Sequence, residues 1–557
     1  MIRRFFISLG LIFAITGATL IILYYQGFSS VAIKHPVFEP TPLGTILLIP
    51  LDSRPPCTDY VIALARMAGF QVLLPPSEML DNYRQPGNTA ALRGWLAQNA
   101  LRADSAIISV DMLVHGGLLA SRKALGSDET AEEVLTLLRT LHDQNPRLKL
   151  YAFNIIPRLI ISDDPLTENF KQPMLEWSML QETATLFENP NDFQRLRNLE
   201  LAIPADIPER YRRLYAANHR LNQQLVALTK TGILSGLIVG QDDSAPFGLG
   251  NMERQRLENE INSHPEMQGN IFITRGTDEV ALTLLGPVTR SAAQMRHKVF
   301  VHYTEAQSAD VIMPYMPKPL AQTVAEKLAI IAADPIEAAD KADFILVVHA
   351  GSAHSLDGRL SVEAAQVRAW LEAGKNVALV DLSIDWVASQ TLLPYLQRNG
   401  APVQQLIAYA GWNTASNSVG TALTQAAMTI RGRQTEDVET ALFRDITRIG
   451  FLSERVLDDW FYQKIYRHQL NEKLQKLKID PYDLQQEHSI VASQINHRVY
   501  NAYLEYIRWG WRNRVFPLNG NLGTYVIDDM IVHSDLPWDR TFEISIETKP
   551  IPALIIP

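Results

Sequence analysis

The chain has 557 residues, 47% of them hydrophobic and 20% charged, with a formal net charge of -9 at pH 7. That composition describes a globular protein rather than a disordered one, and the length exceeds one ordinary core, so two or three domains are expected. The acidic balance, with no basic stripe to offset it, argues against a nucleic-acid partner, because phosphate binding needs a basic surface.

Arg3 and Arg4 precede an uncharged apolar run from Phe5 to Tyr25, and about 20 such residues suffice to cross a bilayer. The positive flank favours a cytoplasmic N-terminus and places everything after Gly27 outside the cytoplasm. Gly27-Phe-Ser-Ser30 is a poor cleavage site, so residues 1–30 read as an uncleaved transmembrane signal-anchor and the bulk of the chain as periplasmic or extracellular. Residues 31–43, with Pro36, Pro40 and Pro42, read as an extended linker. Cys57 is the single cysteine, so neither an intrachain disulfide nor a cysteine-based zinc cluster can form.

From residue 44 to 295, short apolar runs alternate with helical spacing. Thr45–Leu51, Gln71–Pro75, Ala106–Val110, Leu148–Phe153, Leu234–Val239 and Asn270–Thr274 read as strands. Thr130-x-x-Glu133 is a capping-box candidate for the helix after the third. The repeat of strand, polar loop and helix predicts an α/β fold with a parallel, barrel-like (TIM-like) sheet. Residues 163–231 break the pattern with long charged helical segments and read as a helical insertion. Residues 296–432 read as a second, smaller, flavodoxin-like α/β unit with strands at Val299–Tyr303, Phe344–Val348, Val377–Val380 and Leu406–Ala408. Residues 433–557 read as a helical C-terminal region rich in aromatics, with a short β tail.

Polar residues cluster just past the apolar runs, the side on which such folds bind ligands. Asp242 and Asp243 follow the fifth run. Adjacent carboxylates repel, so one should hold its proton while a cation, Arg54 or another, keeps its neighbour ionised. An Asx-turn explains the pair equally well. Asp111 follows the third run, before Gly116 and Gly117, and completes the candidate acid/base set. Asp52 and Arg54, Arg122, and Asn154 with Arg158 are candidate substrate contacts. Asp278 and Glu279 are further candidates, with helix-dipole acids as the competing explanation. Trp412, Asn413 and Asn417 offer amides for hydroxyls and an aromatic face for a sugar ring. His115, His349 and His354 lack the spacing of a zinc motif, and there is no Walker loop, dinucleotide glycine fingerprint or G-x-S-x-G elbow, so neither a metal nor a cofactor is expected.

Pro50-Leu-Asp52-Ser-Arg54-Pro, Asp111-Met-Leu-Val-His-Gly-Gly-Leu-Leu-Ala-Ser-Arg122, Gln241-Asp-Asp243, Gly276-Thr-Asp-Glu279 and Gly411-Trp-Asn-Thr-Ala-Ser-Asn417 together resemble a bacterial family known as domain of unknown function 4127. Trp538-Asp-Arg-Thr-Phe-Glu543 is a weaker match in the tail. The resemblance implies a shared fold and site but no reaction. The expectation from the residues is a membrane-anchored hydrolase acting on carbohydrate, with strand-end aspartates as acid and base. A non-catalytic envelope binding protein and a metal-dependent hydrolase are the alternatives.

Overall fold

The computed structural model describes residues 32–34, 39–123, 126–159, 168–264, 269–290, 296–512, 514–518 and 522–556. The expected anchor, residues 1–30, lies outside them. Among the described residues no helix is long and apolar enough to cross a membrane.

The described residues begin with the short β1 (Ala32–Lys34) and then build an all-parallel sheet from β2 (Thr45–Ile49), β3 (Gln71–Leu73), β4 (Ser105–Ser109), β5 (Lys149–Ile156), β6 (Gly236–Gln241) and β7 (Ile271–Arg275). Their order is β3-β2-β4-β5-β6-β7. The central strands are buried along nearly their whole length, as parallel strands covered by helices on both faces must be. The strands that end beside Asp52, Asp111, Asn154, Asp242 and Gly276 therefore share one sheet. The expected barrel does not close. Among the described residues β3 pairs only with β2 and β7 only with β6, so the sheet is an open row. Barrels and open sheets share the same strand-helix repeat, so periodicity alone cannot separate them.

A second parallel sheet follows from β8 (His297–Tyr303), β9 (Ala333–Pro335), β10 (Phe344–Gly351), β11 (Val377–Ser383) and β12 (Ala408–Ala410), in the order β12-β11-β10-β8-β9. The C-terminal region contributes a third, antiparallel sheet: β13 (Val515–Pro517), β14 (Thr524–Asp535) and β15 (Ser545–Ile556), with β1 on the far side of β15. The β tail is thus longer than the sequence suggested. A register shift between Ile527 and Asp529 breaks the alternation in β14 that would have revealed it.

One apolar core joins the two parallel sheets, because residues of both pack on the helices between them. The helix Ala415–Gly432 is almost wholly buried in that layer. Its Ala, Gly, Ser and Thr side chains are small enough to let both sheets approach. Separate cores cover the outer faces, one under the helices Asp128–Gln144 and Asp206–Lys230 and one under the C-terminal helices and the β14–β15 hairpin. The region 163–231 is helical where described, with Lys171–Phe187, Pro190–Ala202 and Asp206–Lys230. Ser127, not the expected Thr130 box, caps the helix Asp128–Gln144 by accepting from the Thr130 N–H at 3.1 Å.

Candidate functional site

A cavity of about 1030 Å³ opens where the C-terminal ends of both parallel sheets face the hairpin connection 536–544. Arg54, Arg122, Arg158, Asp242, Asp243, Asp278, Trp412 and Asn413 line it, all expected from the sequence.

Asp242 is clamped bidentately by Arg122, Nε to Oδ2 at 2.7 Å and Nη2 to Oδ1 at 2.9 Å, and its Oδ1 also accepts the Asp243 N–H at 2.8 Å. Burial pushes its carboxyl up, but Arg122 and Arg158 outweigh burial and hold it below the usual carboxylate range. Asp243 faces Arg158, Nη1 to Oδ2 at 2.9 Å. A third of its side chain (34%) reaches solvent at the cavity wall. Burial, then the neighbouring Asp242, push the Asp243 carboxyl above its ordinary value. One acid of the pair is raised and the other lowered, and the cation bound to Asp242 is Arg122, not Arg54. Gly240 makes the strand end possible: a Cβ there would come within 2.8 Å of the Gly276 carbonyl and 2.7 Å of Ile155.

Arg54 belongs to a second cluster. Its guanidinium meets Asp52 at 2.6 Å, Asp278 at 2.6 Å and Glu543 at 3.3 Å, with the Trp538 ring 5.2 Å away. Asp278 also accepts from Asn417 Nδ2 at 3.2 Å. Asp52, Cys57 and Asp278 stand close enough to share a metal ion. The donor set fits poorly, because Arg54 already inserts its charge between the two carboxylates. Burial first, then Asp52 and Asp278, push the Cys57 thiol well above its usual value, away from the thiolate a metal needs.

Five expected site residues do not line the cavity. Asp52 and Asn417 stand behind it and brace Arg54 and Asp278. Asp111 is buried at the start of the short helix Val110–His115 that follows β4, where Oδ2 accepts the Ile155 N–H at 2.8 Å. Asn154 points into the helical layer and donates to Asn222 Oδ1 at 2.8 Å. Glu279 is buried between Lys327 at 2.6 Å and Ser416 Oγ at 2.6 Å. A strand end projects alternate residues to opposite sides, and sequence spacing did not reveal which side was wet. His115 is half-buried; its Nδ1 accepts the Gly126 N–H at 3.0 Å, and loss of solvent lowers its pKa to about 4. Gly116 and Gly117, both with positive φ, serve a tight approach: a Cβ on Gly116 would meet the Gly87 carbonyl at 2.8 Å.

Sequence reasoning missed the wall built by residues 463–467 and 538–542. Lys464 is buried on the π-helix Val456–Tyr466 and donates to the Gly411 carbonyl and, at 3.0 Å, to that of Asp459. Burial lowers its pKa. Arg467 lies 4.8 Å from the Phe542 ring, and Arg540 pairs with Glu543. Trp412 packs edge-on against Phe542, ring centres 6.2 Å apart. The one available sequence signal was the charged and aromatic run Trp538–Glu543.

Fold and site together define a mixed α/β protein whose strand-end acids and arginines share a cavity with aromatic rings. The chain belongs to the family described as Protein of unknown function (DUF4127), whose profile matches residues 46–547. Comparison with curated proteins finds no match.

Proposed function

We propose that the chain is a carbohydrate-directed hydrolase, a glycosidase in which Asp243 is the acid/base group. One observation carries the reading. Of the three carboxylates lining the cavity, Asp243 is the accessible one, and burial with the neighbouring Asp242 shifts it upward, toward the protonated form a general acid needs. Asp242, ionised and clamped, orients it through the Asp243 backbone. Asp278, on the next strand end, is the second carboxylate the cavity offers, in place of the buried Asp111. Arg122 pairs with Asp242 and Arg158 with Asp243, and Trp386, Trp412 and Phe542 supply faces for sugar rings. The second sheet's order, 2-1-3-4-5 in its own strands, supports reading residues 296–432 as a flavodoxin-like unit. The apolar run at residues 1–30 supports a membrane-anchored, extracytoplasmic placement.

The test is a screen of chromogenic glycosides followed by Asp243→Asn, which keeps shape and removes proton transfer. Turnover should fall on the order of 10²–10⁴-fold. Turnover within a few-fold of wild type, with the fold intact, overturns the assignment. A second reading, a non-catalytic glycan-binding protein, is favoured by the arginine bound to every cavity carboxylate. In that case wild type turns over no glycoside, and Asp243→Asn alters binding alone.

A further inference from the structure

A second cavity, of about 650 Å³, lies at the opposite end of the second sheet. Asn376 and Gln405, which precede β11 and β12, line it, whereas Trp386 and Gly411, which follow those strands, line the first. Five basic side chains face the second cavity, Lys375, Arg433, Arg444, Arg448 and Arg514, against two acids, Glu372 and Asp445.

Both acids are already engaged. Asp445 accepts from Arg448 Nε at 2.6 Å and from the Tyr525 hydroxyl at 2.5 Å. Glu372 accepts from Arg368 Nε at 2.7 Å, outside the cavity. Arg433 shares the field of Asp445 as well, while Lys375 and Arg444 meet neutral oxygens. Arg444 is 7% exposed; its Nη1 donates to the Gly432 carbonyl at 3.1 Å, and its Nε is buried with no hydrogen-bond partner. Arg433 donates to Asn376 Oδ1 at 2.6 Å and Lys375 to the Asp340 carbonyl at 3.3 Å. Arg514, exposed at the mouth, has no carboxylate partner among the described residues. Part of this gathering answers the C-terminus of the helix Ala415–Gly432, but a helix end carries only about half a negative charge. Lys375, Arg444 and Arg514 leave a positive surplus larger than that, in a chain whose net charge is negative.

From this we propose that the second cavity binds a phosphate-bearing anion. Guanidinium groups match phosphate oxygens in forked geometry, and several converge here around one space. Met67, Leu371, Phe516 and Leu518 give the same cavity an apolar side for the organic part of such a ligand. Its position bears on the source. Pro517 pairs with Thr524, Thr524 with Ile555, and Ile555 with Ile33. The cavity mouth and the strand leading back to residues 1–31 thus lie on one row of the third sheet, about 14 Å apart at the usual strand spacing. A lipid headgroup and a soluble phosphate ester share the required chemistry.

The full chain, held in neutral detergent, would be titrated calorimetrically with inorganic phosphate, glycerol 3-phosphate and dihexanoyl phosphatidylglycerol. At least one should bind, more weakly as salt rises, and affinity should fall on the order of tenfold in Arg514→Gln and in Lys375→Gln. Both side chains stand at the mouth, so folding survives the substitutions; Arg444→Gln probes the buried end, with thermal unfolding measured alongside. Tighter binding of the lipid than of glycerol 3-phosphate identifies a headgroup, and equal binding identifies a soluble phosphate ester. Absence of binding by all three probes, or unchanged binding in both mouth variants, overturns the proposal.

Discussion

Asp242 and Asp381 occupy equivalent places in two parallel sheets, each an acid at the downstream end of a buried strand, and they meet opposite fates. Asp381, in β11, accepts the N–H groups of Leu392 at 2.7 Å and Leu393 at 3.1 Å and the Tyr409 hydroxyl at 3.2 Å. Fixed donors of the fold saturate it, two of them at the start of the helix Leu393–Arg398. Asp242 is held mainly by the long Arg122 side chain and stands at a cavity wall. A carboxylate satisfied by the backbone is part of the scaffold. A carboxylate satisfied by a side-chain cation at an open wall can exchange that partner for a ligand. The first sheet's end is therefore chemically available around Asp243, while the second contributes its loops, Trp386 and Trp412, more than its strand-end acids.

The largest test of this contrast is Arg122→Met. Removing the partner leaves the Asp242 carboxylate buried without its cation, which costs about 3–5 kcal/mol in comparable pairs. Chemical denaturation should show a loss of that order, and restoring a neutral partner with Asp242→Asn in the same chain should recover part of it. A loss below about 1 kcal/mol would mean that Arg158 alone suffices and that the clamp is not what holds Asp242.

How much of this was readable beforehand follows from the same contrast. Parallel strands announce themselves as apolar runs, so the sheet membership of β2, β4, β5, β6 and β7 was legible, and so were Asp242, Asp243, Asp278, Arg54 and Trp412 as neighbours of strand ends. Side-chain direction was not, because Asp111, Asn154 and Glu279 differ from the cavity residues by which way one turn faces. Apart from the run Trp538–Glu543, the C-terminal wall was hidden for another reason. Lys464, Arg467 and Arg540 reach the site through contacts spanning much of the chain, and no local spacing encodes those.

Asp111 sharpens the comparison through pH. Burial, opposed by the Ile155 N–H, raises its carboxyl to about 7, whereas an unfolded Asp titrates near about 3.9. Between those values the folded state keeps a proton the unfolded chain has lost, so stability falls as pH rises from about 4 and the loss is complete above about 7. The effect is on the order of 4 kcal/mol. Glu454, likewise raised to about 7 by burial, adds to the wild-type slope. Asp111→Asn should flatten the slope of unfolding free energy against pH without abolishing turnover. Identical slopes in variant and wild type would show that Asp111 is ionised in the fold.

For Asp381, replacement by Asn removes one acceptor from a group of fixed donors and should cost about 1–3 kcal/mol. Ligand binding in the first cavity should change by less than a few-fold. If binding collapses while stability holds, the backbone-satisfied acid is part of the site and the contrast with Asp242 fails.

The smallest expected effect separates two explanations of Asn413. Its φ of +55° lies in the left-handed region, which Asn and Gly tolerate better than other residues. It also lines the cavity beside Trp412. Backbone conformation alone would therefore account for an Asn here without any contact between its amide and a ligand. Asn413→Gly relieves the conformation and removes the amide, while Asn413→Ala removes the amide and strains the backbone by about 1–2 kcal/mol. If the amide binds a sugar hydroxyl, both variants lose affinity to a similar degree and only the Ala variant loses stability. If the residue serves the turn, the Gly variant binds as wild type does, and thermal unfolding alone distinguishes the pair. Equal stability of all three proteins would remove backbone conformation as the reason for Asn at this position and leave the cavity contact to explain it.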